Sequence, residues 1–370
     1  MGIGGSKASC LSISPDRHKA QAKINHGEED LSRHTVQNLS EERLSVSQPS
    51  CTSLRRASKS SIKPGQRLSL QSSHGKFKEL TSIFDPDDLI SIHDLYNMLN
   101  DGSMKPYIHD PFNLLLVDTR DLDAFSTNHV ITSKHHNTVM DTFTGRLNNY
   151  SMIIMYGCEL KEDGNSKRMS SLRENVMQYV ACDVLVLKEG FEVFQSVYPF
   201  LCTEKNIESI ADRKLLVSYP SAVLENMLYQ GRGDQATNEG IVNVLKITHI
   251  VNITTEHRNA FPSKIKYLKL VLEDVSETNL FNHFYNTSDF INNAISKNGR
   301  VLVHCNQGVS RSSTITIAYL MRFKKWNLQH AFSILKARRS CTCPNPGFLK
   351  QLSDWEEEIF GKRETNIDSL

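Results

Sequence analysis

A cysteine and an arginine stand six positions apart where an apolar strand ends and a helix begins. Cys305 and Arg311 enclose five residues, and the segment that leads into them, 300–304, is predicted to be a buried strand. Five residues are enough to curl the backbone so that successive N–H groups point inward, towards the positive end of the following helix. This arrangement predicts a loop that binds a dianion such as a phosphate group. The plain alternative, a core cysteine after a strand, leaves the spacing of the arginine unexplained.

The residue types in this loop suit phosphate chemistry. Gly308 permits a backbone conformation that a side chain would obstruct, and the planar guanidinium of Arg311 can hold two phosphate oxygens at once. The same field favours ionisation of Cys305, which we expect to be a nucleophilic thiolate at neutral pH. Ser312 is predicted to hydrogen-bond the sulfur, and His304 to order the loop. The remaining loop residues are expected to contribute to phosphate binding: Asn306, Gln307, Val309 and Ser310.

The pattern resembles the HCxxGxxRS loop of the dual-specificity protein phosphatases, a branch of the cysteine-based phosphatases. His304 and Cys305, followed by Gly308, Arg311 and Ser312, match that loop. The resemblance covers roughly residues 215–362, and further segments occur in the family's order: Tyr229-Gln230-Gly231, Asn252-Ile253-Thr254, Leu272-Glu273-Asp274, Ala318-Tyr319-Leu320-Met321 and Pro344-Asn345-Pro346-Gly347-Phe348. It implies hydrolysis of phosphoserine, phosphothreonine and phosphotyrosine in proteins through a cysteinyl-phosphate intermediate, with no metal or cofactor.

The resemblance also implies a general acid upstream of the nucleophile. Such an acid protonates the oxygen that leaves when the cysteine attacks phosphorus. Asp274 matches the position of the family's aspartate, and Glu273 beside it is the rival candidate. The implied catalytic residues are therefore Cys305, Arg311 and Asp274, and the same carboxyl group is expected to deprotonate the attacking water in the second half-reaction.

Two other functions are compatible with the same loop. In the first, the loop captures phosphoproteins without turning them over, and the chain is a catalytically weak or inactive binding scaffold. In the second, the substrate is a phosphoinositide, whose polyanionic headgroup would call for cations in the loop. Residues 306, 307, 309 and 310 are all neutral. The intact cysteine and the aspartate favour the protein phosphatase.

A separate α/β unit is predicted over residues 85–205. Helical spacing at 90–99 accompanies apolar strands, and this alternation predicts a mostly parallel sheet. The strands are predicted at 113–117, 151–155 and 184–187. The segments Leu116–Arg120 and Leu187–Phe191 are similar to those of a rhodanese domain. Cys158 follows the central strand as the rhodanese nucleophile does, but the acidic residues after it would repel an anion, so this unit is expected to be non-catalytic.

A rhodanese-like domain followed by a phosphatase domain, here at 214–362, is the layout of the MAP kinase phosphatases. Their first domain docks kinases through clustered arginines, whereas Arg146 is the sole cation in 139–150 of this sequence. The order and spacing are nearer to the serine/threonine/tyrosine-interacting-like members, whose loop lacks the nucleophile, although His304 and Cys305 are both present here. The implied partners are phosphoprotein substrates, with a kinase docked by the rhodanese-like domain as an open alternative.

The first 84 residues differ in composition from the rest of the chain. Residues 1–80 contain 16 serines and 13 basic against 7 acidic residues. Such a segment cannot bury enough apolar surface to offset its chain entropy, so a disordered tail is predicted. Its first residues fit the N-myristoylation pattern with Gly2 as acceptor, and palmitoylation of Cys10 would supply the second signal that stable anchoring needs. Peripheral membrane contact is therefore expected.

The overall composition is that of an ordinary α/β protein. The 370 residues carry a net charge of only +2, which gives no case for nucleic-acid binding, and the eight cysteines show no disulfide spacing. A secretory segment and a long apolar run are both absent from the sequence, which predicts a cytoplasmic location.

The second domain shows its own alternation of strands and helices. Strands are predicted at 247–254, 265–271 and 300–304, with helices at 284–295 and 312–323. Gly299 is predicted to stop the first of these helices. Asn327 and Asn345 are predicted to cap two further helices, the second with Pro346 at its first position.

Overall fold

The computed structural model of the protein describes residues 88–102, 106–142, 144–160 and 164–370. The predictions for the tail at 1–84, including Gly2 and Cys10, lie outside these residues. Over the described residues, no helix combines the length and the apolar character needed to cross a membrane.

Residues 88–203, called the front unit here, are built on a five-stranded sheet. The strands are β1 (Leu89–Ile90), β2 (Leu114–Asp118), β3 (His129–Val130), β4 (Lys134–His135), β5 (Met152–Tyr156), β6 (Asp183–Leu187) and β7 (Cys202–Thr203). The helices are α1 (Ile92–Asn100), α2 (Leu122–Thr127), α3 (His136–Thr142), α4 (Gly164–Met177) and α5 (Gly190–Val197), with 3₁₀ turns at Tyr107–His109, Thr144–Asn149 and Pro199–Leu201. The sheet order is β1-β6-β5-β2-β4 with all neighbours parallel, and β3 pairs with β7 separately. The predicted parallel sheet is confirmed.

The helix α6 (Ile210–Lys214) leads into residues 215–370, called the rear unit here. Its strands are β8 (Ser221–Leu224), β9 (Leu228–Gly231), β10 (His249–Ile253), β11 (Lys266–Leu270) and β12 (Val301–His304). Its helices are α7 (Gly233–Ala236), α8 (Glu239–Val244), α9 (Phe284–Ile295), α10 (Arg311–Lys324), α11 (Leu328–Arg338) and α12 (Pro346–Phe360), with 3₁₀ turns at Phe281–His283 and Ile367–Ser369. The sheet order is β11-β10-β12-β9-β8, so β12 is central. Only the edge strand β8 runs antiparallel to its neighbour in this sheet.

The α1 helix begins two residues later than the apolar spacing predicts. Ile90 belongs to β1, where it pairs with Leu187 of β6. Ser91 then caps the helix, because its hydroxyl accepts the N–H of Asp94 and the Asp94 carboxylate accepts the N–H of Ser91. The reciprocal cap fixes Ile92 as the first helical residue.

The prediction that Gly299 stops a helix is wrong in detail. Helix α9 ends at Ile295, and Asn298 takes the left-handed conformation with φ of 58°. Gly299 instead closes the turn that follows, donating its N–H to the carbonyl of Ala294 at 2.8 Å. The predicted caps are confirmed, since Asn327 and Asn345 each accept an N–H of the first turn of their helix.

One apolar cluster runs through both units. Leu95 and Tyr96 of α1 belong to the same cluster of buried side chains as Ala222 of β8 and Tyr229 of β9. Burial of these surfaces favours packing of the front unit on the edge of the rear sheet. A second cluster, which includes Trp355, fills the other side of the rear sheet. Helix α1 therefore lies where the two units meet.

Candidate active site

The segment 305–310, called the 305–310 loop here, follows the carboxyl end of the central strand β12. Strands β10 and β9 pair with β12 on its two sides, so the strand is buried up to His304. Cys305 is the first residue beyond it and is only 1% exposed. Helix α10 begins directly after the loop, at Arg311. The predicted sequence of strand, loop and helix is therefore present.

The sulfur of Cys305 has two polar neighbours. The N–H of Gly308 donates to Sγ at 3.2 Å, and the hydroxyl oxygen of Ser312 lies 3.3 Å from Sγ. The N–H of Gly308 and the hydroxyl of Ser312 can therefore both donate a hydrogen bond to the sulfur. The contact predicted between Ser312 and the sulfur is therefore present.

The carbonyl groups of the loop all point out of it. Asn306 O accepts from Gly233 N (3.0 Å), Gln307 O from Arg339 Nη2 (3.3 Å), Gly308 O from Arg339 Nε (2.7 Å), Val309 O from Cys343 N (2.9 Å) and Ser310 O from Thr314 N (2.9 Å). In a trans peptide the C=O and the N–H point in opposite directions. The N–H groups of 307–311 therefore face the enclosed side, which is the geometry of an anion-binding nest.

Gly308 holds a conformation that other residues adopt at a cost. Its φ is +70°, and a Cβ atom there would lie 2.5 Å from the carbonyl oxygen of Gly231 and 2.7 Å from Nη2 of Arg339. Its own carbonyl oxygen also accepts from Gln230 at 3.3 Å. Both the backbone angle and the close approach of β9 therefore require a glycine.

The carboxylate of Asp274 is tied to the 305–310 loop and to the start of α12. Oδ1 accepts from the hydroxyl of Ser310 at 2.7 Å and from Nδ2 of Asn345 at 3.0 Å. The neighbouring Glu273 is exposed and makes neither contact. Of the two candidate acids, Asp274 is the one that the fold brings to the loop.

Arg311 is buried, and its guanidinium faces the segment that carries Asp274. Nη1 donates to the carbonyl of Leu272 at 2.9 Å, and Nε lies 3.4 Å from Oδ2 of Asp274. The side chain of Arg311 is 6% exposed and that of Asp274 is 32% exposed. The predicted bidentate contact with phosphate would require Arg311 to exchange these partners for phosphate oxygens.

His304 is buried beneath the loop. Burial lowers the pKa of His304 to about 4, so the imidazole is neutral at physiological pH. Nδ1 lies 3.2 Å from the carbonyl oxygen of Cys305. Because a carbonyl can only accept, Nδ1 carries the proton of the neutral ring. The contact is consistent with a role in ordering the loop.

Several residues that support the loop were not found from the sequence. The sequence predicts only a helix cap at Asn345, yet its amide nitrogen also donates to the carboxylate of Asp274. His257 lies 3.2 Å from Oδ1 of Asn306, and Lys269 donates to the carbonyl of His257 at 2.8 Å. Arg339 binds two loop carbonyls. The sequence gives no local signal for these contacts, because the partners are far apart along the chain.

The arrangement combines a buried sulfur, inward N–H groups, a guanidinium and a carboxyl group. These are the parts needed to hold a phosphate monoester, attack its phosphorus and protonate its leaving group. Across the described ranges, no group of three or more His, Cys, Asp or Glu side chains is placed to bind a metal ion.

Comparison with known proteins agrees with this geometry. Residues 228–358 match the family model described as the dual specificity phosphatase catalytic domain. A probable rhodanese domain-containing dual specificity protein phosphatase of Dictyostelium discoideum is 36% identical over 190 residues, which cover 51% of this chain and 40% of that protein. Dual specificity protein phosphatase 5 of Homo sapiens is 33% identical over 229 residues, covering 54% of this chain and 60% of that protein.

A third relative is covered more completely. Dual specificity protein phosphatase 14 of Homo sapiens is 40% identical over 141 residues, which cover 38% of this chain and 71% of that protein. The chain spans less than two thirds of the length of the first two relatives. The identity to the third extends over most of its length, and the chain therefore belongs to the dual specificity protein phosphatase family.

Proposed function

We propose that this protein is a phosphatase that hydrolyses phosphoserine, phosphothreonine and phosphotyrosine in proteins through a cysteinyl-phosphate intermediate. The observation that carries the proposal is the orientation of the 305–310 loop. Its carbonyl oxygens are all bound from outside, and the N–H of Gly308 donates to the sulfur of Cys305. Membership of the dual specificity phosphatase family supports the same activity.

In the first half-reaction, the thiolate of Cys305 attacks phosphorus in line with the ester oxygen. An S–P bond forms as the P–O bond to the substrate breaks, and Asp274 gives its proton to the departing oxygen. Arg311 leaves Asp274 and holds two of the three non-bridging phosphate oxygens, while the inward N–H groups hold the third.

In the second half-reaction, Asp274 takes a proton from a water molecule that attacks the phosphocysteine. The P–O bond to water forms, the S–P bond breaks, and Cys305 leaves as a thiolate. The hydroxyl of Ser312, 3.3 Å from Sγ, can donate to the sulfur and stabilise this leaving group. Inorganic phosphate is released, and Asp274 is protonated again for the next turnover.

The front unit is proposed to be a non-catalytic rhodanese-like domain within 85–205, ahead of a catalytic domain at 214–362. Its parallel sheet supports this, as does the rhodanese domain named for the Dictyostelium relative. Cys158 follows β5 and is exposed. Docking of a kinase by this unit, lipidation at Gly2 and Cys10, and a cytoplasmic location with peripheral membrane contact stay predictions from the sequence.

The test is hydrolysis of an aryl phosphate and of phosphopeptides by the wild type, Cys305→Ser, Arg311→Lys and Asp274→Asn. We expect Cys305→Ser to lose both the burst and the turnover while still retaining phosphopeptide, because the binding loop is kept. Arg311→Lys should weaken phosphate binding, since lysine cannot bind two oxygens in a plane. A wild type as inert as Cys305→Ser that still retains phosphopeptide would identify a binding scaffold instead.

A further inference from the structure

Arg339 follows the last turn of α11 and is buried behind the 305–310 loop, with only 2% of its surface exposed. Nε donates to the carbonyl of Gly308 at 2.7 Å, and Nη2 donates to the carbonyl of Gln307 at 3.3 Å. Nη1 donates to the hydroxyl of Ser221 at 3.2 Å. One rigid guanidinium therefore binds two consecutive loop carbonyls and the first residue of β8.

These two carbonyls determine where two loop N–H groups point. The carbonyl of Gln307 shares its peptide group with the N–H of Gly308, and the carbonyl of Gly308 shares its peptide group with the N–H of Val309. Arg339 therefore holds the N–H that donates to the Cys305 sulfur and the next one along the nest. A lysine ammonium cannot reproduce the planar geometry that serves both acceptors.

The residues on both sides of Arg339 are held by the front unit. Arg338 forms an ion pair with Asp94 of α1, with 2.6 Å between Nη1 and Oδ1. The N–H of Ser340 donates to the carboxylate of Asp101, at the end of α1, at 3.0 Å. Both side chains of the Arg338–Asp94 pair are less than one quarter exposed, so the pair is better protected from solvent than a surface ion pair.

Ser221, the third residue that Arg339 contacts, is flanked by residues that helix α1 holds. Asn97 of α1 is 4% exposed, and its amide binds both backbone groups of Ala222, the residue after Ser221. Its nitrogen donates to Ala222 O at 3.0 Å, and its oxygen accepts from Ala222 N at 2.8 Å. Tyr96 donates its hydroxyl to the carbonyl of Pro220 at 2.8 Å. Helix α1 therefore fixes the backbone on either side of Ser221, which Arg339 contacts, and the same helix with its C-cap residue holds the residues on either side of Arg339 itself.

We propose that Arg339 is a positioning residue for the phosphate-binding loop and that helix α1 of the front unit holds it in place. The front unit then contributes to the affinity of the active site for phosphate. This proposal rests on the proposed function, because it assigns the loop the task of binding phosphate.

The experiment compares variants of the full chain in two measurements. The first is the affinity for orthovanadate, a phosphate mimic. The second is the rate of alkylation of Cys305 as a function of pH, measured by mass spectrometry on the peptide that contains Cys305. The first variant is Arg339→Lys. The second, called the α1 variant, combines Asn97→Ala with Asp101→Ala and removes the contacts to Ala222 and Ser340. The third combines all these substitutions. KM and kcat for an aryl phosphate and the thermal unfolding midpoint are measured alongside.

We expect Arg339→Lys to weaken orthovanadate binding about tenfold or more, the effect of losing a charged hydrogen bond to the loop. The α1 variant should weaken it by about three- to tenfold and shift Cys305 alkylation to higher pH, with KM rising more than kcat falls. The combined variant should bind orthovanadate as tightly as Arg339→Lys does, because both changes act through one side chain.

The matched control is His93→Gln. His93 also lies on α1 and contacts the rear unit, with Nε2 3.0 Å from the carboxylate of Glu225, but it touches neither Arg339 nor the residues beside it. We expect it to lower the unfolding midpoint without changing orthovanadate affinity by more than about twofold, the scatter expected of sites that do not couple.

The proposal is overturned if the α1 variant has a lower unfolding midpoint, yet its affinity for orthovanadate and the pH dependence of Cys305 alkylation equal those of the wild type. It is also overturned if the effects of Arg339→Lys and the α1 variant add in full, since independent sites would then be at work. Failure of the proposed function would appear in a different measurement, the activity of the wild type. In that case the wild type itself shows neither turnover nor a burst, whereas the comparison of orthovanadate affinities among variants still tests the positioning.

Discussion

Two neighbouring carboxylates of the active-site region have different surroundings. Both residues are exposed, but Asp274 accepts hydrogen bonds from Ser310 and Asn345, and Glu273 makes neither of these contacts. A proton donor must reach the leaving oxygen in a fixed orientation, and only Asp274 is held in this way. The family resemblance already favours Asp274 over Glu273, but the contact with Asn345 cannot be predicted from the sequence, because the two residues are 71 positions apart.

The first prediction separates these carboxylates. Asp274→Asn should lower kcat for a phosphate ester with a basic leaving group by about 100-fold, the size of a general-acid contribution. An ester of a strongly acidic phenol should be much less affected, because its leaving oxygen needs no proton. Glu273→Gln is the control and should keep wild-type rates for both esters. Equal losses of kcat in Asp274→Asn and Glu273→Gln would show that Asp274 is not the specific proton donor.

The second prediction concerns His304 and pH. Its pKa of about 4 in the folded protein lies below the value of about 6.5 in an unfolded chain, so the unfolded state binds the proton first as the pH falls. The stabilisation from neutral His304 is therefore complete above about pH 6.5 and is lost on going towards pH 4. From pH 7 to pH 5 the loss is about 2 kcal/mol.

Urea unfolding at the two pH values measures this loss. Both tryptophans, Trp326 and Trp355, lie in the rear unit, so their fluorescence reports its unfolding. His304→Asn keeps a donor for the carbonyl of Cys305 but has no titratable ring. Its unfolding free energy should fall less than that of the wild type over the same interval. Identical falls in the two proteins would contradict the buried, neutral state of His304.

At the scale of elements, the third prediction concerns the 305–310 loop. Gly308 and Gly361 both have positive φ, +70° and +75°, but only at Gly308 would a Cβ atom meet backbone within 3 Å. Gly308→Ala should therefore displace the loop and weaken orthovanadate binding about tenfold or more. Gly361→Ala, at the end of α12, should cost only about 1–2 kcal/mol of stability. Similar orthovanadate affinities of the two variants, measured by titration, would show that the close approach to Gly231 is unimportant.

The elements themselves were largely predictable, and the links between them were not. The apolar run that became β12 and the glycine, arginine and serine after it predict a strand, a loop and a helix, because each signal is local. The cap at Asn345 is equally local. In contrast, Arg339 lies 31 positions beyond the carbonyl of Gly308, and no periodicity in the sequence indicates that the two meet.

At the scale of the whole molecule, the sequence predicts two domains but not how they touch. The apolar spacing of α1 predicts a buried face, yet it gives no sign that part of this face packs on β8 and β9 of the other unit. Nothing in the sequence distinguishes Asn97 from an ordinary polar residue of a helix. Its burial against Ala222 depends on the packing of the two sheets, which is a property of the folded chain.

The cover that α1 gives to β8 has a consequence for the solubility of shortened proteins. Strand β8 is an edge of the rear sheet, and side chains of α1 occupy the backbone groups of Ala222 and Pro220. A fragment that starts at 215 would leave this edge and the apolar surface beside it bare, ready to pair with a second molecule. We expect sedimentation velocity to show concentration-dependent self-association of the fragment beyond that of the full chain. A fragment that associates no more than the full chain would mean that β8 needs no cover, and the front unit could then be removed without risk of aggregation.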